Sequence, residues 1–416
     1  MSDHRAERAA GRRWADAGPG TGPGAGARAQ PGTPPDPGTG AVPADVPAGT
    51  GEGAGASGAS AYSVVIPTLG RTTLHECLGA LAASSGPPPE RILLVDDRPW
   101  STAQPPPELD TGALGDELRA RTTVVPTGGL GPAAARNSGW RRVSSPWTVF
   151  LDDDVRVSRD WRERLAADLS AAPGSAGAVQ GVIEVPLPRN RPLTDWERGT
   201  AGLAEALWIT ADMAYRTEAL RHTGGFDERF TRAFREDSDL ALRVLDSGWS
   251  IRRGARRTEH PVRAASRWAS LRSQRGNADD ALMAAVHGPY WRTRAAAPRG
   301  RIRRHTAITA AGCTGLLLAA SGHRRAGGLA LSVWAAGTAE FSWARIAPGP
   351  RDRRETLTML ATSALIPPAA VWHRIRGELR CGAPTLRNAL AARRQAPADD
   401  DAFDGPPPPT TEGPPP

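Results

Sequence analysis

An α/β domain on a doubly wound, mostly parallel sheet is the fold this sequence predicts, and three observations predict it. Short apolar runs recur at 62–67 (YSVVIP), 91–95 (RILLV), 122–125 (TTVV) and 147–151 (WTVFL). Helix-compatible stretches separate them, in strand–helix units of about 25–30 residues, the spacing that parallel crossovers need. Polar residues follow the strand ends again and again, which assembles one site along one edge of the sheet.

The elements follow in chain order. Pro67 stops the first strand, Thr68-Leu69-Gly70 form a turn, and 71–84 read as a helix. Asp96-Asp97 end the second strand. After the third comes a flexible Gly128-Gly129-Leu130-Gly131 loop, and Pro132 suits the first position of a helix over PAAARNSGW. The fourth strand, Trp147–Leu151, runs into Asp152-Asp153-Asp154. A buried strand cannot keep three carboxylates inside, so they emerge at its C-terminal edge. Residues i and i+2 of an extended segment face the same way. Asp152 and Asp154 can therefore share one hard divalent cation and a polyphosphate bound to it, while Asp153 points elsewhere. In the second half, 178–185 and 207–211 are expected strands, and 216–223 is a short helix closed by Gly224-Gly225. Residues 226–230 form an exposed turn, and 236–247 (EDSDLALRVLDS) a helix with acids at its start.

Composition sets the outer limits. The chain has 416 residues. Residues 1–60 and 381–416 are low-complexity, rich in Gly, Ala and Pro, and read as disordered tails. Between them lie an α/β domain at 61–300 and an apolar helical segment at 301–380. All 52 basic residues are arginine, and the absence of lysine excludes P-loop and Schiff-base chemistry. The +8 charge is concentrated at 252–304 and 345–380, beside apolar segments, a pattern suited to anionic lipid or phosphate; no nucleic-acid motif is present. Cys77, Cys313 and Cys381 are too dispersed for a disulfide framework or a metal-ligand pair. Gly53, Gly55 and Gly58 spell a dinucleotide fingerprint but precede the first strand, so they do not count as one. The N-terminus carries no apolar signal-peptide core. Apolar stretches at 306–320, 326–344 and 356–372 make 301–380 a membrane-associated segment: the middle one is long enough to span a bilayer, and the outer two are marginal. Three spans, a hairpin and interfacial helices all fit the spacing.

SVVIPTLGR (63–71), LLVDD (93–97), GPAAARNSGW (131–140), FLDDD (150–154), AYRTEALRHTGGFDERF (214–230) and REDSDLALRVLDSGW (235–249) occur in an order and spacing that resembles the family 2 glycosyltransferases of the GT-A type. The resemblance implies an inverting transferase that uses a nucleotide-diphosphate sugar and a divalent metal, Mn or Mg. It implies Asp154 as the direct metal ligand, Asp152 on the donor's ribose or sugar and able to join the metal, and Asp153 in a supporting position. Pro67, Thr68, Asp96 and Asp97 would line the nucleotide pocket, with Asp96 ahead of Asp97. Arg136, which shares the helix after the Gly-rich loop with Asn137, would meet the base or diphosphate. The general base falls in the Glu236-Asp237 pair, with Asp237 the better match and Glu236 the fallback.

His260 resembles the late histidine that related enzymes supply to metal or diphosphate, and Arg272, Arg275 and Asn277 are candidates for phosphate or acceptor. The processive members' Q-x-x-R-W run is absent: Ser266-Arg267-Trp268 keeps only its last two letters, which disfavours a polysaccharide synthase. The acceptor is then expected to be lipid-linked or a glycan, at the cell membrane with the catalytic domain facing the cytoplasm. A noncatalytic membrane-bound binding protein, a sugar nucleotidyltransferase and a nucleotide-sugar hydrolase are the competing functions.

Overall fold

The computed structural model describes residues 58–100 and 106–382. The expected tails therefore lie outside the described residues, except for their inner edges at 58–60 and 381–382. Eight strands form one sheet: β1 (Tyr62–Thr68), β2 (Ile92–Asp96), β3 (Thr122–Pro126), β4 (Trp147–Leu151), β5 (Arg156–Val157), β6 (Ala176–Glu184), β7 (Asp212–Arg216) and β8 (Ser250–Glu259). Their order is β3-β2-β1-β4-β7-β6-β8-β5. Helices α1 (Thr73–Ala83), α2 (Gly115–Ala120), α3 (Pro132–Trp140), α4 (Trp161–Ser170), α5 (Asp195–Ala201), α6 (Thr217–Thr223) and α7 (Glu236–Asp246) lie between the strands. The short α8 (Ala269–Arg272), α9 (Gly276–His287), the short α10 (Trp291–Arg294), α11 (Ile302–Ala320), α12 (Arg324–Ile346) and α13 (Arg353–Cys381) follow the sheet.

The first half is parallel: β2 and β4 flank β1, and β3 lies beside β2. The second half is mixed. β7 runs antiparallel to β4 and β6, β8 is parallel to β6, and β5 is antiparallel to β8. Four of the seven strand pairings are parallel, as expected, and the three antiparallel ones all involve β7 or β5. The expected strand at 207–211 is not one. Trp208 is buried with φ 64°, and its N–H donates to the Gln180 side chain instead of a ladder. The apolar residues there plug the core, and the strand begins at Asp212.

Alternation along the strands builds two cores. Val65, Leu93, Val95 and Phe150 face α3 and α7, where Trp140, Leu240 and Val244 pack. Val64, Ile66, Ile92, Leu94 and Val149 face α1 and α4, meeting Leu74, Leu78, Leu81 and Leu165. Asp212 opens β7 with a fully buried carboxylate. Arg256 Nε donates to it at 2.7 Å, Trp161 Nε1 at 2.8 Å and Thr258 Oγ1 at 2.6 Å. Arg256 also reaches Asp168 of α4 at 3.1 Å, so every charge in the cluster has a partner.

Beyond the sheet, α11 and α12 form an antiparallel hairpin, and α13 packs on both and on α9. Pro367 and Pro368 lie inside α13, which continues through them. No described helix is long and apolar enough to cross a membrane, so the expected spanning helix is corrected. The reason lies in polar positions that the fold uses. Arg345 of α12 is buried, donates to Asp195 Oδ2 at 2.7 Å, and also binds Thr362 and Ser363 of α13.

Gly139 marks where α3 comes closest to the sheet: an added Cβ would strike Val65 and lie 3.0 Å from Val95 Cγ2. Gly139→Ala should therefore overpack this contact and lower unfolding free energy by about 1–3 kcal/mol. Denaturant titration reads the change; an unaltered midpoint would show that α3 has room to shift.

Candidate active site

The parallel register sets the site. Thr68 of β1 stands opposite Asp96 of β2, and β4 delivers Asp152–Asp154 at the same sheet edge. β5, which follows the aspartates, pairs with the end of β8, Arg156 opposite Glu259. That pairing brings His260, the residue after β8, back to the aspartates from far along the chain. One ligand atom each from Asp152, Asp154 and His260 lies within 4.8 Å of the others. His260 Nε2 stands 3.9 Å from Asp154 Oδ1. Asp154 Oδ2 is buried with no hydrogen-bond partner, although Arg263 Nε approaches to 2.9 Å without the alignment a hydrogen bond requires. Burial first, and then the charge of Asp152, push the Asp154 carboxyl above its usual range. Two carboxylates, one of them with a buried oxygen that makes no hydrogen bond, and an imidazole fit a divalent cation such as Mn or Mg.

Asp153 turns the other way. It accepts from Thr68 Oγ1 at 2.7 Å and from Arg71 at 3.0 Å, clamping the aspartate turn to the end of β1. Asp96 is held by Arg98 through two side-chain bonds of 2.8 and 2.6 Å. Asp97 is taken up by the glycine-rich loop: it accepts from Thr127 Oγ1 at 2.7 Å, from the Leu130 N–H at 2.8 Å and from the Gly131 N–H at 2.9 Å. Those bonds fix the loop from which α3 starts. Pro67, half-buried, lies beside Val95 in the ladder, next to Thr68 and Asp96.

Arg136 of α3 joins the two halves of the site. The guanidinium is buried, donating to Asp152 Oδ1 at 2.8 Å and to Glu236 Oε1 at 2.9 Å. Glu236 is the first residue of α7; its other oxygen, Oε2, is buried without a partner. Asp237 is half-buried and accepts the Ser238 N–H at 2.6 Å. Burial pushes both carboxyls of the pair upward, and for Glu236 the neighbouring charge of Asp237 adds to it. Arg235, with φ 78°, precedes them in the left-handed region. Its side chain is held by Asp280 at 2.9 Å and lies over the rings of Phe234 and Trp291. The strained backbone is thus fixed from α9 and α10.

The other candidates lie elsewhere. Asn137 donates to the Phe226 carbonyl and to Glu228, holding the turn at 226–230. Arg272 and Arg275 are exposed, on segments that pack against α13, and Asn277 is bonded to Gln274. Sequence reasoning missed Arg263 and Arg98. Each follows an acid or histidine of the site by two or three positions, which was the available signal. The loop carrying Arg263 is tied down by Trp196 of α5, whose Nε1 donates to the Arg263 carbonyl at 2.9 Å. The neighbouring Asp195 is the partner of Arg345, so α5 touches both this loop and the C-terminal helices.

At one edge of the sheet an acidic cluster is thus joined through the buried Arg136 to a second pair of acids. Residues 63–237 match the family described as glycosyl transferase family 2. Pre-mycofactocin glycosyltransferases of two Mycobacterium tuberculosis strains, CDC 1551 and H37Rv, are 33% identical over 135 residues, covering 29% of this chain. The match spans 28% of the length of those relatives. Among solved structures, a Pyrobaculum calidifontis mannosyltransferase in complex with GDP-Man and Mn2+ has TM-score 0.45 and 18% identity, over 75% of this chain and 87% of that one. S. aureus TarS 1-349 in complex with UDP has TM-score 0.39 and 16% identity, over 76% and 91%. Residues 63–237 are a family 2 glycosyltransferase domain.

Arg136→Met keeps the bulk and removes the shared cation. It should cost about 3–5 kcal/mol, because Glu236 then stays buried, and Asp152 half-buried, with a partner missing. Adding Glu236→Gln should recover part of the loss in a double-mutant cycle read by denaturant unfolding. Additive losses would show that the bridge is not the origin.

Proposed function

We propose that this chain transfers a single sugar from a nucleotide-diphosphate sugar to an acceptor hydroxyl, with inversion and with the help of a divalent metal. The observation that carries this reading is the span of Arg136, which keeps Asp152 of the cation cluster and the Glu236-Asp237 pair within one guanidinium of each other. Donor and acceptor chemistry then meet in one place. Pro67, Thr68 and Asp96 form the nucleotide end, where a carboxylate accepts from base N–H or ribose hydroxyl groups. Asp152, Asp154 and His260 would hold the metal, which when bound neutralises charge on the departing diphosphate.

Asp237 is our choice of base. It is half-buried and free of Arg136, whereas Glu236 is buried and bonded to it. Its carboxylate takes the acceptor O–H proton while that oxygen attacks the anomeric carbon. The bond from that carbon to the diphosphate oxygen breaks on the opposite face, the electron pair leaves with the nucleoside diphosphate, and the configuration inverts. We place the acceptor on a lipid-linked molecule or a glycan, at the cytoplasmic face of the cell membrane. The family of residues 63–237 and the names of the curated relatives support glycosyl transfer.

Asp154→Asn should abolish the metal-dependent part of nucleotide-sugar binding, read as thermal shift across a donor panel with and without Mn2+. Equal metal-dependent shifts in variant and parent would remove Asp154 from the site. Asp237→Asn should leave that shift intact while turnover falls by ~10²–10⁴, the usual worth of a positioned base. An active Asp237→Asn beside an inactive Glu236→Gln would move the role to Glu236.

A further inference from the structure

The last helix is amphipathic in the wrong sense for a packed helix. α13 has 29 residues and is about 43 Å long at 1.5 Å per residue. One face is buried, through Met359, Ile366, Ala370 and Gly377 among others. The opposite face is apolar as well. Leu357, Leu365, Trp372, Ile375 and Leu379 are 55%, 45%, 62%, 46% and 77% exposed. They recur at steps that α-helical geometry stacks into one stripe, and positions 361 and 368 between them are an exposed alanine and an exposed proline. A monomeric soluble surface rarely leaves so long an apolar stripe uncovered.

Charge says what covers it. Arg353 and Arg354 stand at one end of the stripe, and Arg374, Arg376 and Arg380 at the other. Residues 301–382 as a whole carry twelve arginines against four acids. A second copy laid stripe to stripe would bring arginine ends against arginine ends in either orientation, at a repulsive cost. No described helix qualifies to cross a bilayer. A helix with a wide apolar stripe, an exposed tryptophan and flanking arginines lies in a membrane interface. The side chains enter the acyl boundary, and the arginines reach anionic headgroups.

We infer that α13 docks lengthwise on an anionic membrane surface through the Leu357–Leu379 stripe. The contact leaves the opposite face of α13 on α9, α11 and α12, so the sheet and its site are held beside the bilayer and not in it. The inference does not depend on which reaction the site performs.

Full-length protein is sedimented with vesicles of phosphatidylcholine alone and of phosphatidylcholine with phosphatidylglycerol. The parent should pellet with the anionic vesicles and much less with the neutral ones. Leu365→Glu combined with Ile375→Glu changes only exposed positions and should reduce binding about tenfold or more, since it places two charges in the inserted face. Thermal unfolding and the nucleotide-sugar shift of this variant should match the parent, which separates this test from that of the transfer reaction. Three results would overturn the inference. The parent could stay in the supernatant with anionic vesicles. The double variant could bind as well as the parent, while Leu316→Glu with Leu317→Glu at the hairpin end abolishes binding. Light scattering could show a parent dimer that the double variant dissolves, which would make a second copy the occupant.

Discussion

The site depends on one buried cation, Arg136. Arg136 and Glu236 are brought together out of water with the half-buried Asp152 beside them, and a low-dielectric interior accepts the buried groups only while they are compensated. This demands accuracy from three separate elements. β4 must deliver Asp152, α7 must start at Glu236, and α3 must lie close enough to the sheet to reach both. The small Gly139 permits that approach, and Asp97 fixes the loop that sets where α3 begins.

The same logic recurs in the second half of the sheet with a different purpose. Arg256 and Asp212 are fully buried, and every partner they meet is protein, so that cluster fastens β7, β6 and β8 to α4. The Arg136 cluster differs in what it leaves open. Glu236 Oε2 and Asp154 Oδ2 are buried without hydrogen-bond partners. A closed cluster stabilises, whereas an open one is prepared for chemistry.

This contrast explains what the sequence made legible. β1, β2 and β4 were readable because they are buried on both faces, and such strands are uninterrupted apolar runs ended by proline or acids; β3, an edge strand with Val124 exposed, was readable from its β-branched residues. The Asp152–Asp154 triplet was readable for the same reason, since carboxylates directly after a buried strand have one way out. The strand at β7 was not. It starts with Asp212, whose neutralising arginine lies forty-four residues further on. The apolar run just before it, 207–211, carries the stronger strand composition but is used as a core plug around Trp208. The pairing of β5 with β8 is only two residues long, below what any periodicity can show, and yet it brings His260 to Asp154. In the C-terminal segment, apolar composition suggested a bilayer span; the partner that turns Arg345 into a docking group, Asp195, stands far earlier in the chain.

Asp195 and Trp196 are adjacent residues that face two ways. Asp195 grips Arg345 in the helical appendage, and Trp196 holds the backbone of the loop whose Arg263 leans on Asp154. Two neighbouring residues therefore join the C-terminal helices to the loop beside the acid cluster. Any coupling carried by this joint would be reciprocal, because linkage makes the effect of the loop on α12 equal to that of α12 on the loop. The appendage and the site thus share one short helix, α5, as their common anchor.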